Sequence, residues 1–334
     1  MVTLKTLAAK AGCSENTVSL VLRDRGRISD RTRSKIKKLA SNLGYRPNFA
    51  ARSLVTGRTG LIGIFIPSEH YDYVRIEMVK HLLEELHNSQ FKPILGLEES
   101  TTDIWYNSSW FKTFHEINVD AIILSTNLRE LPAFLRQTPI ISLGVQPNTV
   151  ASPEWDTVAL DRSEAGQMAA RHVIEKGHQK IFVMSSDPGY FYDGVLSVLN
   201  SSAGVSFETC NIFTPETPQP DPKVLYNCMR QSNLNPTAVV CSDALIAVQF
   251  AKECANAGMS LPADLSIVAY DYLPNIESYP VPLTLVEQPI REVVNAAKQL
   301  LMRRIEQPTA EYQQVAVSHR LIERKSTIVN PEII

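Results

Sequence analysis

Residues 13–26 read CSENTVSLVLRDRG. The stretch opens with a polar pair, continues with Val18, Val21 and Leu22 at helical spacing, and ends basic. Ser14 suits an N-cap and the three apolar residues line one face, so the spacing predicts a short helix from about residue 15. Just before it, Leu4, Leu7, Ala8 and Ala11 recur at i, i+3, i+4 and i+7 and predict another helix, closed by Gly12. Two short helices joined by a glycine-containing turn make a helix-turn-helix. After them Ser29 or Asp30 caps a third helix, with Ile36, Leu39, Ala40 and Leu43 inward and Arg31, Arg33, Lys35, Lys37 and Lys38 in water. Gly44 closes it.

Charge supports a polyanion partner for this head. The chain has 334 residues and a net charge of −2. Residues 1–60 hold thirteen Lys or Arg against Glu15, Asp24 and Asp30, whereas the remainder holds 20 basic and 32 acidic residues. A basic head with a periodic apolar core on an acidic body points to nucleic acid. In a helix-turn-helix the second helix lies in the major groove with its first residues on base edges. That places Glu15 and Asn16 at the bases and Leu20 one turn later. Glu accepts from cytosine, Asn pairs twice with adenine, and Leu meets a thymine methyl. Thr17 and Ser19 suit phosphate contacts. Glu15 is also favoured as an acid at a helix N-terminus.

Residues 46–60, RPNFAARSLVTGRTG, predict a short helix over 48–56, from Pro47 to Gly57. Its apolar face of Ala50, Ala51 and Leu54 has nothing nearby in sequence to bury it, so it should order against a partner or DNA.

From Leu61 the pattern changes. Apolar β-rich runs at 61–67, 92–97, 120–125, 139–144, 157–161, 180–186, 237–242, 265–271 and 283–288 alternate with helical patterns at about 73–88, 162–176, 243–257 and 290–305. Near-continuous apolar strands with helical crossovers imply parallel sheets covered on both faces, and their number favours two doubly wound lobes. Ligands of such sheets bind beyond the carboxyl ends of the strands. Those ends carry Ser68 with Tyr71 and Tyr73, Ser125 with Thr126, Asp187 to Phe191, Asp243 and Asp271, a set suited to a polar small molecule.

No run reaches membrane-spanning length and no signal peptide is evident, so a cytoplasmic location is expected. Five scattered cysteines form no CxxC pair, and seven histidines show no zinc-like spacing. The cluster GRTGLIG at 57–63 precedes a strand and cannot cradle a phosphate. No GxSxG or Walker A pattern occurs, so neither an enzyme nor a metal or cofactor is expected.

The set "A…AGCS..TVS.VL", LGYRPN and AARSL resembles the DNA-binding head and hinge of the lac/gal repressor family. The resemblance continues through LDRSEAGQMAARHVIEKGHQKI, PTAVVCSDALIAVQFAKECANAGMSLPADLSIVAYD and HRLIERKST to the C-terminus. It implies a helix-turn-helix head over 1–46, a hinge helix over 47–57 and an effector-binding, dimerising core over 58–334. Lobe one would take about 58–159 plus 289–316, and lobe two about 160–288 plus 317–334. The resemblance further implies a homodimer on a pseudo-palindromic DNA operator, probed in its minor groove by Ala51 and Leu54, and controlled by a small effector, expected to be a sugar. It assigns Asp271 to ligand hydroxyls and Asp161 to the lobe junction; Ser68, Tyr73, Ser125 and Asp243 at the strand ends complete the expected effector set. The chain departs from the family pattern at SSDPGYFYDGVL, where the loop is short and Phe191 stands in place of the customary arginine. Tyr190 and Phe191 either stack on a sugar ring or plug the pocket. In the second case the regulator answers to a protein partner or to no ligand. A periplasmic solute-binding protein shares the body's architecture, but the basic head and the lack of a signal peptide disfavour it.

A fragment of residues 58–334 is therefore expected to lose all operator affinity in a gel-shift titration. Retained affinity would place the DNA-binding surface elsewhere.

Overall fold

The computed structural model describes residues 2–22, 26–45, 57–67, 73–87, 89, 91–98, 108–125, 132–147, 154–185, 189–211 and 221–330. The helix expected over 48–56, with Ala51 and Leu54, lies outside the described residues, as do Ser68, Tyr71, Thr126 and Asp187. The chain divides into two compact units, Met1–Thr59 and Gly60–Ile334.

The first unit contains α1 (Leu4–Ala11), α2 (Glu15–Leu22) and α3 (Asp30–Asn42). Leu7, Val18, Val21 and Ile36 are fully buried at their meeting point. All three helices open with the same device. The hydroxyls of Thr3, Ser14 and Ser29 accept from the amides of Thr6, Thr17 and Thr32, and the paired hydroxyls lie 2.9–3.0 Å apart. Each cap satisfies an amide that would otherwise lack a partner, worth about 1 kcal/mol. Gly12 ends α1 at φ +69, a left-handed conformation open to glycine at no steric cost. Lys35 reaches back from α3 to the Ala11 carbonyl at 2.9 Å and closes the other end of α1.

The second unit holds two six-stranded sheets. The first contains β1 (Leu61–Pro67), β2 (Lys92–Glu98), β3 (Ala121–Leu124), β4 (Ile140–Val145), β5 (Asp156–Ala159) and β11 (Gln314–Ala316), in the order β11-β5-β4-β3-β1-β2, all parallel. The second contains β6 (Lys180–Ser185), β7 (Ser206–Asn211), β8 (Ala238–Cys241), β9 (Ser266–Tyr270), β10 (Thr284–Glu287) and β12 (Arg320–Ile322), in the order β12-β10-β9-β8-β6-β7, with only β12 antiparallel. Helices α4 (Tyr73–His87) and α10 (Ile290–Glu306) cover one face of the first sheet, and α5 (Ser109–Glu116) the other. On the second sheet, α6 (Arg162–Glu175) and α7 (Tyr190–Ser201) cover one face, α8 (Pro222–Gln231) and α9 (Ala244–Asn256) the other. Strands buried on both faces explain the unbroken apolar runs: AIIL and AVVC carry no exposed residue.

The chain passes between the sheets three times. It leaves β5 for α6 at residues 160–161, leaves β10 for α10 at 288–289, and leaves β11 for β12 at 317–319. Each passage carries one polar residue withdrawn from solvent: Asp161, which is half-buried, and Gln288 and His319, which are buried.

Helices α6 and α7 meet backbone to backbone. A Cβ added at Gly166 would stand 2.0 Å from the Phe191 carbonyl oxygen, and one at Gly194 would stand 2.0 Å from that of Ser163. Neither neighbour is a side chain that can rotate away, so Gly166→Ala must push the helices apart. The expected cost is about 3 kcal/mol, read as a fall of roughly 6–12 °C in the melting temperature of the second unit. An unchanged melting curve would mean that the two helices separate freely.

Candidate functional site

The head presents one face of α2. Glu15 and Asn16, the first helical residues, are exposed, while Thr17, Ser19 and Leu20 are half-exposed. The Ser14 cap sets this start, since the Thr17 amide donates to Ser14 Oγ at 3.1 Å. The Thr17 hydroxyl lies 2.9 Å from the same oxygen, so it already serves the cap. Leu20 lies against Gly26. Val18 and Val21 hold the opposite face of α2 in the core. The exposed basic residues Arg31, Lys35, Lys37 and Lys38 follow on α3.

In the second unit the polar strand ends gather around the passages between sheets. Asp161 is the N-cap of α6: its Oδ1 accepts from the amides of Ser163 at 2.9 Å and Glu164 at 3.2 Å. The same oxygen accepts from Gln146 Nε2 at 2.7 Å, and Gln146 Oε1 accepts from the Arg162 amide at 3.0 Å. Gln146 follows β4, so this pair ties the end of the first sheet to the first helix over the second.

Asp271 follows β9 with a positive φ of 99°, a strained backbone for a residue with a Cβ. Its Oδ1 accepts from the Tyr272 amide and from Gln288 Nε2, both at 2.9 Å. Tyr272 in turn packs against the core of the first sheet. Its hydroxyl is pushed up by burial and by the charge of Glu77 on α4. These contacts bring Asp271 towards the helix whose first residue, Tyr73, is 41% exposed. At the end of β3, Ser125 Oγ is buried with no hydrogen-bond partner among the described residues. Asp243 is the N-cap of α9, accepting from the Ile246 amide at 2.8 Å.

The aromatic run divides. Tyr190 is 50% exposed, whereas Phe191 is 6% exposed and belongs to the core between α6, α7 and the second sheet. The Phe191 ring lies 5.0 Å from that of Tyr270, which lies 5.5 Å from the imidazole of His319. Phe191 thus acts as packing, and Tyr190 is the member of the pair with surface to offer. Gln146, Arg162, Tyr272, Gln288 and His319 were not singled out from the sequence. An amide beside a strand end is the available signal, but either glutamine read alone is ordinary loop polarity.

His319 is 4% exposed. Its Nε2 lies 3.4 Å from the Tyr270 hydroxyl, and its Nδ1 has no partner among the described residues. Burial first, then the Arg162 charge, hold its pKa down at about 4 against the opposing charge of Asp161. The imidazole is neutral at pH 7.

Comparison with known proteins places these features. Residues 3–48 match the profile of bacterial regulatory proteins, lacI family, and residues 170–327 match a periplasmic binding protein-like domain. The HTH-type transcriptional repressor PurR of Escherichia coli O1:K1 is 26% identical over 342 residues, covering 99% of this chain and 98% of the relative. The lac repressor dimer bound to operator and the anti-inducer ONPF superposes with a TM-score of 0.74 at 20% identity, over 98% of this chain and 99% of that one. The complex of the transcriptional regulator CelR with cellobiose superposes with a TM-score of 0.65 at 23% identity, over 98% of this chain and 100% of that one.

The His319 geometry sets a pH dependence. Its folded pKa lies below the ordinary 6.5, so the unfolded chain binds more protons between about pH 6.5 and 4. Its contribution is complete above pH 6.5 and is lost as pH falls through that window. His172 and His178, also lowered by burial, act in the same direction. Urea unfolding at pH 7 and pH 4.5 should show His319→Phe losing less stability on acidification than the wild type, by up to about 3 kcal/mol. Equal losses would show that His319 does not titrate on unfolding.

Proposed function

We propose, from the premise that this chain belongs to the lac/gal family and is a DNA-binding transcriptional regulator, that it is a homodimeric repressor switched by a neutral, hydroxyl-rich effector, a sugar. The observation that carries the DNA-binding part is the exposed start of α2, where Glu15 and Asn16 stand free of the core behind the Ser14 cap. Two-fold symmetry of the dimer would match a pseudo-palindromic operator, one head to each half-site. Glu15, Asn16 and Leu20 would read bases, and Ser19 would join the basic residues on phosphates. Thr17 would bond phosphate through whatever hydroxyl capacity its cap leaves. Ala51 and Leu54 would serve the minor groove at the operator centre.

The effector would lie at the strand ends. Asp271 accepts hydrogen bonds, Ser125 Oγ is buried without a partner among the described residues, and Tyr73 and Tyr190 offer exposed rings. Carboxylate, hydroxyl and aromatic groups suit a sugar. The family likeness to a regulator solved with cellobiose agrees with that chemistry. A second reading rests on Phe191, which is buried where relatives carry an arginine: the pocket is closed and a protein partner, or nothing, controls the head.

Operator binding by the full chain should weaken steeply with salt, log K falling against log salt with a slope of about −5 to −10. Asn16→Ala should relax preference at one base position per half-site, at a cost of about 1–3 kcal/mol. An unchanged preference in operator selection moves the reading role to another residue. A sugar at 100 times its Kd should add about 2.7 kcal/mol, visible as a thermal shift that Asp271→Ala abolishes while DNA binding persists. A sugar phosphate giving the largest shift would overturn the neutral effector and assign Arg162 to the phosphate. No shift across a broad library would favour the closed pocket.

A further inference from the structure

All five cysteines are free. Cys241 and Cys254 are buried in the core of the second sheet, where burial pushes both thiols up, that of Cys254 to about 12. Cys13 belongs to the head. The remaining two meet. Cys210 lies on β7 and Cys228 on α8, elements that pack on each other. Both are half-buried against the same apolar cluster, and Cys228 shares a groove with Glu208, which lies on the same face of β7 as Cys210. Cys228 also lines an open groove of about 470 Å³ with Glu208, Val224, Asn227, Gln231 and Ser232. An oxidant the size of a peroxide fits such a groove.

We propose that Cys210 and Cys228 form a dithiol site that a small hydroperoxide converts to an intramolecular disulfide. Cys228, on the groove, reacts first. Its sulfur attacks one peroxide oxygen, the O–O bond breaks, and the thiol proton leaves on the departing oxygen as water or an alcohol. Cys228 is then a sulfenic acid. The Cys210 sulfur attacks the sulfenic sulfur, the S–O bond breaks, and the hydroxyl leaves as water with the Cys210 proton. The two sulfurs together lose two electrons, which reduce the peroxide O–O bond.

The fold favours the second step. A disulfide needs Cα atoms about 4.4–6.8 Å apart. β7 is an edge strand bonded only to β6, so it can shift by a fraction of an ångström without breaking a second ladder. Burial first, then the Cys228 thiol, push the Cys210 thiol up to about 12, so Cys210 is protonated at neutral pH and attacks the sulfenic sulfur slowly. Conversion is therefore slow at pH 7 and accelerates as pH rises, which suits sustained oxidative load and not a fast sensor. The bond pins α8 to the sheet edge and closes a short loop.

The full chain would be treated with hydrogen peroxide, alkylated and mapped by mass spectrometry without reduction. The expected product is a Cys210–Cys228 linked peptide two hydrogens lighter than the sum of its parts, formed faster at pH 9 than at pH 7 and reversed by dithiothreitol. The melting temperature of the oxidised chain should rise by roughly 5 °C or more. Cys210→Ser and Cys228→Ser should each abolish the link and the shift, and Cys13→Ser neither. Recovery of both thiols alkylated after prolonged oxidation would overturn the proposal. So would Cys228 accumulating as sulfinic acid with Cys210 still reduced, since Cys210 would then have failed to resolve it.

Discussion

One oxygen, Oδ1 of Asp161, takes three donors where the chain leaves the first sheet for the second. Two are the first free amides of α6, so the carboxylate fixes where that helix begins and sits at its positive end. The third comes from Gln146 at the end of β4, which also receives the Arg162 amide. The passage is thereby held from both sheets by charge-assisted bonds, which are shorter and stronger than neutral ones. The other two passages are held in related ways. Gln288 is hydrogen-bonded to Asp271, and His319 lies between Tyr270 and the charges of Asp161 and Arg162. Bending within a passage would break these bonds, and at Gln288 and His319 it would strand a buried polar group.

The head meets the opposite problem. About forty residues bury too little surface for comfort, and domains of this size are marginal alone. Its stability leans on local devices. Each helix has a hydroxyl cap, Gly12 takes the left-handed turn, and Lys35 closes the carboxyl end of α1. Capping meets the backbone's needs internally, and this leaves Glu15 and Asn16 uncommitted on the surface. Recognition chemistry is available at the start of α2 because the cap, one residue earlier, does the structural work.

Much of this was legible in the sequence, and the gaps have physical causes. The nine apolar runs all became strands, because residues buried on both faces leave an unbroken pattern. Three strands left no such trace: β7, SFETCN, is an edge strand with no buried residue, while β11 and β12 are three residues each. Helices α5, α7 and α8 were likewise unread. In α7 the residue that faces α6 is Gly194, so the closest contact of that helix is invisible to any count of apolar side chains. At the strand ends the polarity of Asp161, Asp243 and Asp271 was legible, but not its use. Two of the three are helix caps, and a cap and a ligand contact draw on the same residue types. Phe191 read as an aromatic at a pocket; its burial depends on α6 and α7 approaching to backbone contact, which one loop cannot reveal.

That double use of the aspartates bears on how a ligand would act. A ligand shifts a two-state equilibrium only by its differential affinity for the two states, and a swing from 1:99 to 99:1 requires about 5.5 kcal/mol. A carboxylate already committed to a cap would keep its position with or without a ligand, so any bond it made to one would be pre-organised in either arrangement. Discrimination must then come from groups whose distance to the ligand changes as the sheets tilt. On the first sheet the candidates are Ser125 Oγ, buried and without a partner among the described residues, and the exposed Tyr73 ring. An oxygen without a partner carries a desolvation cost of about 1–3 kcal/mol that a ligand hydroxyl can relieve in one arrangement alone. Fixed acceptors on the second sheet and, on the first, a hydroxyl without a partner among the described residues would give a ligand unequal purchase on two arrangements, the one requirement that a switch of this architecture has to meet.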